Sequence, residues 1–89
     1  MLRDKVLEQH RHTLEEAVAG TGRDDIGVGA VTEAREGVLA VEFSRGTHNH
    51  TAEIPVVALD DHESARRAVT IAIRNLSKEV AQEQLQKAL

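Results

Sequence analysis

Cysteine, tryptophan and tyrosine are absent from the 89 residues, and phenylalanine and proline occur once each, at Phe43 and Pro55. Without cysteine the chain can form neither a disulfide framework nor a thiolate nucleophile nor a cysteine-ligated zinc or iron–sulfur site. With one aromatic ring, any core is aliphatic. Long apolar runs are also missing, and the opening Met1-Leu2-Arg3-Asp4-Lys5 is charged. A membrane-spanning helix needs about 18 or more consecutive apolar residues. Neither such a helix nor a signal peptide is expected, and the expected location is the cytoplasm.

What remains is ordinary for a folded chain: 40% hydrophobic and 29% charged residues in 9.7 kDa. That length suits one domain, 1–89, and leaves little room for a cleft between two lobes. The net charge of −4 disfavours general attraction to nucleic acid or to an anionic membrane. Its distribution is uneven. Residues 21–61 carry three basic and eight acidic side chains, whereas 62–89 carry five basic and three acidic.

Between Leu2 and Ala19 no glycine or proline interrupts the chain, and Leu2, Val6, His10, Leu14, Ala17 and Val18 recur at helical spacing. A helix over 2–20 is predicted, with His10 packed on its apolar stripe and Gly20-Thr21-Gly22 ending it. Arg23-Asp24-Asp25 then reads as a polar, mobile loop.

Strand periodicity begins at Ile26. The connection Arg35-Glu36-Gly37 has the form of a bulged hairpin turn, leading into a second strand over Val38–Ser44. Pairing Ala34 with Val38 sets Glu33, Val31 and Gly29 opposite Leu39, Val41 and Phe43 on the core face. The other face then carries Val28, Ala30, Thr32 and Ala34 opposite Ser44, Glu42, Ala40 and Val38, small and weakly charged enough to be a contact surface. After the loop from Arg45 to Asn49, a third strand is expected over His50–Leu59, with Ala52, Ile54 and Val56 inward. Pro55 cannot donate to a ladder, so this strand lies at an edge.

A second helix is predicted over 61–87. Asp60 or Asp61 starts it, Asp60 and Glu63 have capping-box spacing, and Ala65, Val69, Ala72, Ile73, Leu76 and Val80 form the apolar stripe. At ~1.5 Å per residue that helix reaches roughly 40 Å, more than three short strands need for cover. On its opposite side Arg67, Ile71, Arg74, Lys78, Leu85 and Leu89 make a second seam of basic and aliphatic residues, the candidate interaction surface.

Five histidines are the compositional oddity. His48 and His50 point to one side of an extended segment and would be the metal candidates if Asp60, Asp61 or His62 came near. The spacing alone is weak, and the expectation is that no metal or other cofactor is bound. Gly27-Val28-Gly29 lacks the third glycine of a dinucleotide turn, Gly20-Thr21-Gly22 lacks the Lys-Ser/Thr of a phosphate loop, and no serine sits in a nucleophile elbow. The chain is therefore read as no enzyme.

The order helix, three-strand meander, helix resembles that of the double-stranded RNA-binding domain over roughly Leu2 to Leu76. The resemblance is one of element order. That family binds phosphates through a basic cluster opening its second helix, and Arg66 and Arg67 are the residues here that match it. Asp60-Asp61-His62-Glu63 stands where the cluster would begin, and Arg35-Glu36-Gly37 has neither the proline nor the histidine of the family's interstrand loop.

The expected fold is α+β, a two-layer αβββα arrangement with both helices on one face of a three-stranded antiparallel meander. The expected function is a small non-catalytic protein-interaction module, a homodimer or a subunit of an assembly, with no membrane partner. The alternative is a nucleic-acid-binding module using Arg66, Arg67, Arg74 and Lys78.

Overall fold

The computed structural model describes the backbone of residues 3–88 and their side chains except those of 83, 84, 87 and 88. Helix α1 spans Asp4–Gly20, strands β1, β2 and β3 span Gly27–Arg35, Val38–Arg45 and His48–Pro55, a 3-10 turn spans Val56–Leu59, and helix α2 spans His62–Ala88. The strands form one antiparallel sheet in the order β1-β2-β3. Both helices pack on the same face, α1 against β1 and α2 against β3 and β2. The two-layer α+β arrangement is as expected.

The core is aliphatic around a single ring. Leu39, Val41 and Phe43 of β2 are fully buried, and Leu14 of α1 with Val69 and Leu76 of α2 cover them with no exposure of their own. Ile54 contributes from β3, and among the described residues Val80 is the last buried one along the chain. Burying each such side chain stabilises by about 1.5–3 kcal/mol, which fixes which helix faces meet the sheet. The first turns of α1 take less part than its periodicity implies. His10 is only half-buried and lies outside the core, and of the described residues before Leu14 only Leu7 packs against it; Leu2, the first of the predicted stripe, lies outside the described residues.

Register follows the expected pairing in the middle of the first hairpin, where Val31, Thr32 and Glu33 face Val41, Ala40 and Leu39. It shifts at both ends. Bulges between Val28 and Val31 and between Glu33 and Arg35 each insert a residue into β1. Phe43 therefore faces Val28 rather than Gly29, and Gly29 lies beside Glu42, whose Oε1 would be 2.6 Å from a Cβ added there.

Both hairpins close in two residues. Gly37 has φ +78° and Gly46 has φ +60°, the left-handed conformations that tight turns require. With Gly46 in that conformation β3 begins at His48, two residues earlier than its periodicity suggests. It also ends earlier, because after Pro55 the chain turns into the 3-10 segment, so half-buried Val56 packs against the core from a turn and not from a strand. Pro55 lies on the edge strand, as its missing N–H demands.

The cap of α2 is Asp61, not an Asp60–Glu63 box. Asp61 Oδ1 and Oδ2 accept the Glu63 and Ser64 amides at 3.3 Å each, and Oδ2 also accepts the Ser64 hydroxyl at 3.0 Å. These hydrogen bonds, the Ser64 hydroxyl first, hold the Asp61 carboxyl below the usual carboxylate range.

Candidate interaction surfaces

Helix α2 presents a buried and an exposed face over the length that the sheet covers, and then runs on past it. Residues on the Ala65–Val80 stripe are buried, whereas Arg67, Ile71, Arg74, Lys78 and Leu85, half a turn away, are exposed. Ile71 is 52% exposed and Leu85 64%. Leu89, the last member of the predicted seam, lies outside the described residues. Beyond Val80 the helix continues to Ala88, about 12 Å further, and Ala81, Gln82, Leu85 and Gln86 are all exposed.

The cations on α2 are sparsely compensated. Arg67 approaches Glu63 at 3.8 Å one turn earlier. Among the described residues Arg66, Arg74 and Lys78 make no ion pair, although the chain carries fifteen acidic side chains. Arg66 and Arg74 border a groove of about 480 Å³ between the end of α1 and α2, with Thr21, Arg23, Thr70 and Ile73 along its walls. The Arg66 guanidinium also lies against Gly20, where a Cβ would meet Nη2 at 3.3 Å. It thus supplies the positive charge that α1 lacks in its last turn.

The outer face of the sheet lacks Val28, which the first bulge turns to the core side opposite Phe43. Ala30, Thr32 and Ala34 are exposed there and Val38 and Ala40 half-exposed, yet the Arg35–Glu53 ion pair joins β1 to β3 across them, with a second Arg35 Nη1–Glu53 Oε2 contact of 2.9 Å. Glu42 occupies the space that Gly29 leaves.

His48 and His50 both lie on the helix side of β3, and there they part from their suggested acidic partners. His50 Nδ1 is 3.0 Å from Glu79 Oε1, five turns along α2 from Asp61. At ~1.5 Å per residue, Asp60, Asp61 and His62 are roughly 25 Å away at the other end of the helix. Among the described residues no three His, Cys, Asp or Glu side chains could hold a metal ion together.

One cluster was illegible in the sequence. Asp25 accepts Arg23 Nε at 3.1 Å and Nη2 at 3.2 Å, and its Oδ2 lies 3.1 Å from Arg45 Nε. The loop expected to be mobile is thereby fastened to the end of β2. The Arg23 hydrogen bonds hold the Asp25 carboxyl below its ordinary range and raise the arginine in turn. Twenty residues separate Asp25 from Arg45, and only the sheet brings them together.

No described helix is long and apolar enough to cross a membrane. Comparison with protein-family models, curated proteins and solved structures finds no match.

Proposed function

We propose that the chain is a small non-catalytic protein-interaction module that self-associates. The observation carrying this reading is Ile71, more than half exposed among Arg67, Arg74 and Lys78 on the outward side of α2. Exposed aliphatic groups set between cations suit a protein surface, because apolar contact supplies affinity and charge supplies orientation. An acidic middle segment and a basic last segment in one chain complement each other between copies. Sedimentation at tens of micromolar tests this. A species of twice the chain mass is expected, and a strict monomer removes the reading.

A second reading rests on a different observation, the stripe of Arg66, Arg74 and Lys78, which make no ion pair among the described residues, beside Arg67 on an α2 that closes a helix, meander, helix order like that of double-stranded RNA-binding domains. Such a stripe suits a phosphate backbone, and binding would weaken steeply with salt as counterions are retained. Titration with duplex RNA and duplex DNA at low salt decides it. Binding lost on substituting Arg66, Arg67, Arg74 and Lys78 together supports this reading, and no binding at low salt ends it.

A further inference from the structure

The two edges of the sheet are not equivalent. At β1 the two bulges break the ladder, and Arg11 of α1 reaches over to donate through Nη2 to the Val28 carbonyl at 3.2 Å. That edge is closed to another strand in the ways natural sheets close edges. At β3 eight consecutive residues pair with β2 without a register shift. Arg45 and His48 flank a two-residue turn, so alternate residues from His48 onward bond β2, and the Val56 amide ends that series on the Gly37 carbonyl at 2.9 Å. Asn49, Thr51 and Glu53 therefore turn their N–H and C=O groups outward. Pro55 falls in the same outward series, where its missing N–H costs nothing.

Beside this open edge runs a groove of about 390 Å³ between β3 and α2, walled by Ala52, Ile54, Ala68, Ile71 and Ala72. The regular edge and the exposed Ile71 thus belong to one continuous surface. From these relations we infer that two copies of the chain associate through β3, pairing antiparallel about Thr51 to make one six-stranded sheet. The inference rests on the reading of the chain as a self-associating module and names where it associates.

The charges on β3 favour a second copy. Glu53 is the sole acidic residue on the strand, and two-fold pairing about Thr51 sets it opposite Asn49 of the other copy, so no carboxylates of the two strands confront each other. Spacing favours it also. Strands about 4.8 Å apart, with α2 resting over β2 and β3, place the two α2 helices roughly 10 Å from one another, an ordinary packing distance for helices. Ile71 of each copy then enters the gap between them.

The test is the sedimentation mass of the whole chain and of three variants, with amide exchange. Thr51→Pro removes the central outward N–H, and Ile71→Glu charges the groove; each is expected to give a monomer with an unchanged far-ultraviolet spectrum. Leu85→Glu, on the overhang of α2, is expected to remain a dimer. The amides of Asn49, Thr51 and Glu53 should be protected in the wild type, and protection should fade on dilution. Should Thr51→Pro fail to fold, Ile71→Glu and the exchange pattern still decide. A wild-type dimer with fast exchange at those three amides, or one broken by Leu85→Glu and not by Ile71→Glu, overturns the β3 interface while leaving self-association intact. A wild-type monomer overturns both.

Discussion

His50 Nδ1 lies 3.0 Å from Glu79 Oε1, and this contact marks the level at which α2 leaves the sheet. β3 has only two residues before His50, whereas α2 has nine after Glu79, a further ~13 Å of helix. Such a partly exposed pair contributes little to stability, at most about 1 kcal/mol. Glu79→Ala should therefore shift the melting temperature by only a few degrees while raising amide exchange from Leu76 onward. A loss of cooperative folding would show that the pair does more than fasten the last covered turn.

Phe43 is the only aromatic side chain and is fully buried between β2 and the helices. Phe43→Ala should destabilise by about 3–5 kcal/mol, because the thin aliphatic layer around it cannot close the cavity. Phe43→Leu should cost clearly less. Urea unfolding of the two variants measures the difference, and equal losses would contradict the packing described.

Gly37 and Gly29 separate two kinds of glycine requirement. No atom lies within 4 Å of a Cβ placed on Gly37, yet its φ of +78° makes any side chain there strained by roughly 1–2 kcal/mol. At Gly29 the nearest group is the movable end of Glu42. Gly37→Ala should lower the urea midpoint more than Gly29→Ala does, and Glu42→Ala should lessen the Gly29→Ala effect but not the other.

Asp25 and Asp61 both have carboxyls held below their ordinary range by hydrogen bonds, from Arg23 and from Ser64 respectively. A carboxyl whose folded value is depressed contributes stability above its unfolded value, about pH 4, and that stability is lost as pH falls through the folded value. Melting temperature should thus decline on acidification below about pH 4. Asp25→Asn with Asp61→Asn should flatten that decline, and an unchanged acid limb would show that neither hydrogen bond survives in solution.

Elements and faces were legible in the sequence where burial dictates a period. The stripe from Ala65 to Val80 and the alternation of Leu39, Val41 and Phe43 specify the inward faces of α2 and β2 because a one-residue slip would expose all of them. Positions decided by backbone conformation were not. The bulge between Val28 and Val31 breaks the alternation of β1, setting both valines inward three residues apart, and a strict two-residue period therefore pairs Phe43 with Gly29 instead of Val28; the two-residue turn at Gly46 is set by backbone conformation and leaves no mark on the apolar pattern. Asp60 and Asp61 are adjacent acidic residues before the same helix, and the apolar pattern does not distinguish which of them caps it; Asp61 does, through the Glu63 and Ser64 amides.

The seam on α2 was legible for the same reason as the core stripe, as a second set of residues at helical spacing. The edge position of β3 was legible too, from Pro55, but the contrast that leaves this edge the regular one was not. That contrast is with β1, which is closed by Arg11, a residue seventeen positions from the carbonyl it occupies.

Sedimentation equilibrium of the intact chain at tens of micromolar addresses the central claim most directly. A mass of twice 9.7 kDa is the predicted result, and a single species at 9.7 kDa across that range would contradict it.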